Sequence, residues 1–194
     1  MSLPPTFAND LANIALDQHA KFSGLAEDNP KLCHQIKLYW TNLGFSFTSC
    51  TTVPWSAVFV SWCVKEAGAK SSQFKFAASH SEFVHEAIKN ALSGTGEFRA
   101  FEITKHAPKV GDIIQNNRGG TSHDYDFASK HAAYASHTAI VVEVGVDPTS
   151  GDKFARTIGG NEGDSIRSKI VELDSAGLIK QRAPNPFICV VTNL

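Results

Sequence analysis

Ser56 and His137 are the residues of this sequence whose types and surroundings suggest nucleophilic chemistry. Apolar residues recur after Ser56 at the spacing of one helical stripe, so we expect a helix that starts near Pro54. Proline suits a first helical turn, and Thr51 and Thr52 could cap that turn. The free N–H groups and the helix dipole at such a start stabilise an anion. Ser56 is therefore a candidate nucleophile beside donors for an oxyanion.

His137 opens an apolar run at 138–142 that predicts a buried strand, and a rigid strand start is a suitable place for a general base. Asn161 follows two glycines and could orient the imidazole through its second nitrogen. Attack on an amide carbonyl needs a nucleophile, a base within hydrogen-bond reach and oxyanion donors. Ser56, His137 and Asn161 are thus candidate residues for nucleophilic attack on a carbonyl.

Four segments, in order, resemble the motifs of one superfamily. PWSAVFVSWC at 54–63 is similar to the "PWCAAFVSWC" helix of the NlpC-type and CHAP (cysteine, histidine-dependent amidohydrolase/peptidase) papain-like cell-wall hydrolases, with Ser56 in the column of the nucleophilic cysteine. PKVGDII at 108–114 resembles their GD strand, SHTAIVV at 136–142 their "SHVGIVV" strand, and TIGGN at 157–161 their "TIEGN" turn. The resemblance covers roughly residues 39 to 170, and a branch of unassigned function with PWSA at this helix is the nearest.

The resemblance implies a papain-like (NlpC-type) fold and a peptidoglycan amidase or endopeptidase that cleaves an amide bond in bacterial cell-wall peptide. It also implies that His80 is a site residue, because the segment that ends in Ala78-Ser79-His80 matches an "AxSH" element of the PWSA branch. Trp55, His80 and Arg118 are the candidate substrate-binding residues, and Arg118 could bind a substrate carboxylate.

Two departures from the superfamily pattern leave an alternative open. A serine hydroxyl is far less acidic than a thiol, so Ser56 depends on His137 as a true general base. Gly159 stands where the "TIEGN" version has an acidic residue, so the imidazole would rely on Asn161 alone. The alternative function is a catalytically silent module that binds cell wall or peptide on the same fold.

Hydrophobic periodicity predicts an α+β protein in a single domain, residues 1–194, with a helical N-terminal half packed on a mostly antiparallel C-terminal sheet. We expect helices near 7–22, 30–44, 54–68 and 79–92, the last with a Ser79–Glu82 capping box. Strands are expected near 98–103, 110–115, 138–146, 153–159, 165–173 and 187–192. The polar segment between Asn116 and Ser136 is expected to cover or border the site and to be more mobile than the strands.

Composition excludes several partners. The formal net charge of −1 offers no reason to expect nucleic acid, and no apolar run reaches the length of a membrane span. The first residues lack the features of a secretory signal peptide. A cell-wall enzyme would therefore act in the periplasm or outside the cell after export by a non-classical route, with an immunity protein as a possible partner; otherwise the protein would be cytoplasmic.

We expect no cofactor. His123, Asp124, Asp126, His131 and His137 carry zinc-ligand groups, but their spacing matches no metal motif, so a hydrated loop is preferred. The four cysteines, Cys33, Cys50, Cys63 and Cys189, are interpreted as reduced or buried thiols, with one disulfide left open. Cys63 is expected in the core, and Cys50 is a reserve nucleophile.

Overall fold

A computed structural model describes residues 2–194 and confirms the predicted α+β class. The helices are α1 Phe7–Phe22, α2 Pro30–Asn42, α3 Ser56–Glu66, α4 His80–Ser93 and α5 Tyr125–Lys130. The strands are β1 Phe98–Glu102, β2 Ile113–Asn117, β3 Ser136–Val146, β4 Lys153–Gly159, β5 Arg167–Glu172 and β6 Phe187–Asn193. The long helices thus precede the sheet in the chain, as the periodicity predicts.

The six strands form one antiparallel sheet in the order β1-β6-β2-β3-β4-β5. Side chains alternate between its two faces. The inward face, which includes Ile113, Ile140 and Ile158, joins the residues of α1 to α4 in the main hydrophobic cluster. The outward face carries a smaller apolar cluster that includes Ile114 and Val141. Helices and sheet therefore share one core, and successive strand residues face different surroundings.

Helix α3 runs through the main cluster, and most of its residues are buried. Tyr39 of α2 packs its ring against Trp55, Phe59 and Trp62, with ring centroids 6.2, 5.6 and 5.1 Å away. Such aromatic packing means that tertiary contacts, and not only helix propensity, stabilise α3. The start of α3 is thereby held firmly, with Ser56 as its first helical residue.

Two predicted helix caps are wrong. Trp55, rather than Thr51 or Thr52, is the residue before α3, and no side chain caps this start. Ser79 does precede α4, but its hydroxyl lies 2.9 Å from the Ser81 hydroxyl and makes no capping bond. The first N–H groups of α3 therefore have no side-chain acceptor from a capping residue.

The short helix α5 was not expected, because the sequence from Asn116 to Ser136 lacks a long apolar period. The Asp124 carboxylate accepts from the backbone N–H of Phe127 at 2.8 Å and caps the helix. An acidic residue three positions before a partly buried aromatic residue was the available signal. Local capping, rather than a long amphipathic face, makes this helix.

Cys33 of α2 and Cys50 form a disulfide, so these two are not free thiols. The bond ties α2 to the segment that leads into α3. Cys50 is consequently not a nucleophile. Cys63 and Cys189 are free and buried, and Cys63 lies in the main cluster as expected. Burial raises the pKa of both thiols, which keeps them protonated.

No helix within residues 2–194 is long and apolar enough to cross a membrane.

Candidate active site

A hydrogen bond joins the side chains of Ser56 and His80 at the interface of α3 and α4. Ser56 Oγ lies 2.6 Å from His80 Nε2, and the other ring nitrogen, Nδ1, lies 2.7 Å from the Thr138 hydroxyl on β3. Ser56 is 2 % exposed and His80 6 % exposed. The starts of α3, α4 and β3 therefore come together at the buried imidazole of His80.

The surroundings of His80 favour its neutral form. Burial lowers the pKa of His80 well below its usual value, and the nearby His137 and Arg118 lower that pKa further. Neutral His80 satisfies both neighbours when Nδ1–H donates to Thr138 and Nε2 accepts from the Ser56 hydroxyl. In that tautomer His80 presents its lone pair to Ser56, which is the arrangement of a general base and a nucleophile.

His137 contacts a carboxylate beside this first pair. Its Nε2 lies 2.8 Å from Glu162 Oε1, and the other carboxylate oxygen of Glu162 lies 2.8 Å from Lys169 Nζ. Burial raises the pKa of Glu162, but the hydrogen bonds and positive charges of His137 and Lys169 outweigh that effect and hold it below its usual value. Glu162 is therefore an ionised carboxylate within the protein.

The two imidazoles lie next to each other. The ring centroids of His80 and His137 are 5.1 Å apart, edge to face. Ser56, His80, His137 and Glu162 consequently form a continuous series of side-chain contacts from the start of α3 to the turn after β4. The structure brings Ser56 and His137 into the same region, but the hydrogen-bond partner of Ser56 is His80.

Asn161 does not orient His137, contrary to the expectation from the sequence. Its amide lies beside Trp55, and with the amide oxygen turned toward Trp55 it accepts from indole Nε1 at 3.0 Å and from the backbone N–H at 3.2 Å. Asn161 adopts a φ of 54°, a left-handed conformation that asparagine tolerates better than most residues. The residue therefore holds the start of α3, and the adjacent Glu162 takes the place beside the imidazole.

Trp55 is completely buried, so its expected role as a substrate contact is also wrong. Its indole N–H is shared between the Asn161 amide oxygen and Glu27 Oε2, the latter at 2.9 Å. The indole is instead part of the core that supports Ser56.

Two glycines leave the space that the polar contacts and α3 need. A Cβ at Gly159 would collide with the Glu162 carboxylate and would lie 3.0 Å from His137 Nε2. A Cβ at Gly160 would lie 2.7 Å from side-chain atoms of Trp55 and Phe59. The missing acidic side chain at position 159 is thus compensated, because its absence makes room for Glu162.

Two adjoining pockets open beside these residues, and Arg118 lines both. We call the first the serine pocket; it has a volume of about 340 Å³ and is lined by Pro54, Ser56, Ala57, Ala78, Ser79, His80, Arg118, Gly119, Tyr134, Ala135 and Ser136. The loop predicted to border the site supplies residues 118–119 and 134–136 of that lining. Ser56 is therefore reached from a pocket that this loop encloses on one side.

We call the second the sheet groove. It has a volume of about 230 Å³ and lies on the outward face of the sheet beside His137. Its lining comprises Ile114, Asn116, Asn117, Arg118, His137, Ala139, Thr157, Asn161, Glu162, Gly163, Lys169, Ile170, Val171, Arg182, Asn185 and Phe187. A substrate that extends past Ser56 has this groove available next to His137.

The histidines of the loop have structural contacts of their own. His123, Phe127 and His131 stack, with successive ring centroids 3.8 and 4.0 Å apart. Asp124 caps α5, and Asp126 pairs with Lys130 at 2.7 Å. Within residues 2–194 no group of three or more histidine, cysteine or acidic side chains could hold a metal ion.

Thr138, Glu162 and Lys169 were missed by reasoning from the sequence. Glu162 directly follows the "TIGGN" match, so a carboxylate one position beyond the motif was the available signal. Thr138 directly follows His137, and side chains at successive strand positions alternate, so a second polar contact on the opposite face could have been expected. Nothing in the sequence pattern distinguished Lys169 from other exposed lysines.

A family model described as "Uncharacterized protein conserved in bacteria (DUF2272)" matches residues 26–187. The match covers most of the chain, including both histidines and Ser56, so the chain belongs to this family. No curated protein and no solved structure matches the chain.

Proposed function

We propose that this DUF2272 protein is a serine amide hydrolase that cleaves an amide bond in bacterial cell-wall peptide. The observation that carries the proposal is the 2.6 Å contact between Ser56 Oγ and His80 Nε2 at the start of a buried helix. The hydrogen bond from the other nitrogen of His80 to Thr138 fixes the ring in the orientation that a base requires. This assigns the base to His80, where the sequence had suggested His137.

The residues support a two-step reaction. Ser56 Oγ attacks the carbonyl carbon and passes its proton to His80 Nε2, while the N–H groups at the start of α3 can donate to the oxyanion. His80 returns that proton to the amide nitrogen, the C–N bond breaks, and the amine leaves. Water then attacks the acyl carbon and gives its proton to His80, which protonates Ser56 Oγ as the acid is released.

Glu162 supplies the negative charge that Thr138 lacks. Thr138 orients His80 but cannot neutralise the imidazolium that forms when Ser56 loses its proton. The Glu162 carboxylate lies one imidazole ring away, because His137 contacts both Glu162 and His80. His137 opposes positive charge on His80, and the Glu162 carboxylate, which pairs with His137, offsets that effect. We therefore assign Glu162 an electrostatic role: it limits the repulsion between His137 and the imidazolium of His80.

The substrate class rests on the ordered resemblance of four segments to the NlpC-type and CHAP motifs. The Cys33–Cys50 disulfide supports a place of action outside the reducing cytosol, because disulfides persist in oxidising compartments such as the periplasm. Action in the periplasm or outside the cell agrees with a cell-wall substrate. If the enzyme is injected into competing cells as an antibacterial effector, an immunity protein is its partner in the producing cell.

The decisive experiment is mass-spectrometric analysis of products after incubation with purified peptidoglycan. We expect new amine and carboxylate ends from the wild type and none from Ser56→Ala, because that change removes the nucleophile. Ser56→Cys is expected to retain or increase activity and to react rapidly with iodoacetamide near neutral pH, since a helix start lowers a thiol pKa.

Ser61→Ala is the matched control. Ser61 lies on the same helix, is fully buried, and donates to the carbonyl of Ala77 at 2.9 Å. Its loss should lower stability but not the turnover of folded protein. Equal inactivity of wild type, Ser56→Ala and Ser56→Cys on fragments that cover the common cell-wall cross-links would refute the hydrolase.

A silent binding module is the second candidate, and the burial of His80 favours it. A base whose charged form is opposed by burial and by two neighbouring positive groups is a weak proton acceptor. The binding module predicts that Ser56→Ala retains affinity for peptidoglycan fragments while the wild type yields no product. Binding without turnover in calorimetry and mass spectrometry would select this alternative.

A further inference from the structure

The sheet groove has an excess of positive charge that the nearby acidic side chains do not neutralise. Three cationic side chains, Arg118, Lys169 and Arg182, line it against one carboxylate, that of Glu162. Glu162 is already paired with His137 and with Lys169. The protein as a whole has a formal charge of −1, so this local excess is not a property of the entire surface.

Arg182 is held in place while its terminal nitrogens stay free. Its guanidinium carbon lies 4.3 Å from the centre of the Phe187 ring, and its Nε donates to the carbonyl of Asn185 at 3.2 Å. Within residues 2–194 no acceptor contacts its two terminal nitrogens. Stacking and one hydrogen bond thus fix the guanidinium plane and leave the pair of donors that carboxylates bind.

Arg118 provides a second unpaired guanidinium. Over the described residues it forms no side-chain hydrogen bond or ion pair, although its backbone carbonyl accepts from Thr121. Arg118 lines both the sheet groove and the serine pocket. An anion held by Arg118 and Arg182 would therefore lie beside the reacting amide.

The lining of the groove also includes apolar side chains. Ile114, Ala139, Val171 and Phe187 contribute to its lining. A small organic acid matches a surface of arginines and aliphatic groups better than a fully hydrated inorganic anion does. The side chain or terminus of a peptide supplies such an acid.

We propose that the sheet groove binds a carboxylate group of the substrate, held by Arg118 and Arg182 next to the amide that Ser56 attacks. The proposal rests on the proposed function for the position of the scissile amide, but carboxylate binding itself is measurable without turnover. It makes the substrate an acidic peptide, with a free carboxylate within reach of the cleaved bond.

The direct test is an NMR titration of the ¹⁵N-labelled Ser56→Ala protein, observed at the arginine Nε–H signals. The probes are glutarate, its uncharged diamide and inorganic phosphate. We expect a saturable shift of the Arg118 and Arg182 signals with glutarate and none with the diamide. In the double variant Arg118→Gln/Arg182→Gln, the remaining protein signals should no longer show a saturable shift with glutarate.

Arg156→Gln is the matched control, because Arg156 pairs with Glu143 on the sheet and does not line the groove. It should bind glutarate as the parent protein does. Absence of saturation with glutarate, or equal saturation in the double variant, would overturn the proposal. Tighter binding of phosphate than of glutarate would also overturn it, in favour of a phosphorylated ligand.

Kinetics with peptidoglycan fragments then separates the two proposals. Arg182→Gln should raise KM by about tenfold or more with little change in kcat, since it removes binding shared by substrate and transition state. Glutarate binding by a wild type that cleaves nothing would refute the hydrolase and keep the carboxylate site. Cleavage with unchanged KM in Arg182→Gln would refute the carboxylate site and keep the hydrolase.

Discussion

At the scale of single residues, the site differs from a simple nucleophile and base because two histidines have separate partners. His80 is buried against a neutral hydroxyl, whereas His137 contacts an ionised carboxylate. Environments that differ in this way assign different roles to chemically identical side chains.

Removing the charge of Glu162 should slow turnover while leaving the fold in place. In Glu162→Gln the amide can still accept from His137, but no carboxylate offsets the effect of His137 on the imidazolium of His80. We expect kcat to fall on the order of 10- to 100-fold, measured on peptidoglycan fragments. Glu143→Gln, which alters a half-exposed ion pair with Arg156, is the control and should retain kcat. An unchanged kcat in Glu162→Gln would refute the electrostatic role.

The buried His80 should make the protein sensitive to acid. Its pKa is lowered in the folded state by burial and by the positive groups His137 and Arg118, whereas in the unfolded chain it is about 6.5. Below that pH the unfolded state binds more protons, so stability is lost as the pH falls from about 6.5 toward the folded pKa. The slope is at most about 1.4 kcal/mol per pH unit.

Thermal unfolding between pH 7 and pH 5 measures this effect. His80→Gln should flatten the pH dependence, and His85→Gln, on the same helix but bonded to the carbonyl of Ala128, should not. The lowered pKa of Glu162 adds a loss of the same sign, but only below about pH 4.5, which lies outside the pH range of this measurement. A wild-type slope that His80→Gln leaves unaltered would contradict the assignment.

At the scale of elements, the end of β4 and the turn after it pack against both the Glu162–His137 contact and α3. Gly159 and Gly160 are neighbours in the chain, yet an added methyl group at each would meet different residues. Neither glycine has a positive φ, so the expected effects are steric rather than conformational.

Gly159→Ala and Gly160→Ala should therefore separate activity from stability. Gly159→Ala displaces Glu162 from His137, so we expect a large loss of kcat with a small loss of stability. Gly160→Ala forces a methyl group against Trp55 and Phe59, so we expect about 1–3 kcal/mol of destabilisation. Denaturant unfolding and kcat, measured on both variants, test this. Equal losses of kcat and of stability in the two variants would contradict this separation.

The disulfide joins α2 to the segment before α3, a link that the sequence did not predict. It closes a loop with a sequence separation of 17 between Cys33 and Cys50, which corresponds to about 3 kcal/mol of stabilisation. The double variant Cys33→Ser/Cys50→Ser should lose roughly that amount in denaturant unfolding, and dithiothreitol should lower wild-type stability but not that of the double variant. Insensitivity of the wild type to reduction would contradict a structural disulfide.

At the scale of the whole molecule, the helical half and the sheet meet at the site, and the loop between β2 and β3 lines it. Residues 118–119 and 134–135 of that loop, with Ser136 at the start of β3, line the serine pocket, as the sequence position of the loop predicts. The mobility of the loop remains a prediction. We expect faster hydrogen exchange in residues 118–124 than in β3, because several of these residues are exposed and long loops open at low free-energy cost. Protection equal to that of β3 would contradict a mobile border.

The sequence alone determined the fold class and the order of the elements, because hydrophobic periodicity is local in the chain. The expectation that Ser56 and His137 lie in one region came from the ordered resemblance of the four segments to a known superfamily. The sequence could not determine hydrogen-bond partners. Which imidazole contacts Ser56 depends on how α4 packs against α3 and β3, and His80 is separated from Thr138 by 58 positions. Tertiary packing also placed Asn161 against Trp55 and Glu162 against His137, since a turn of glycines admits either side chain until the neighbouring core occupies the space. The disulfide was decided in the same way, because only the folded chain brings the Cα atoms of Cys33 and Cys50 to 5.4 Å.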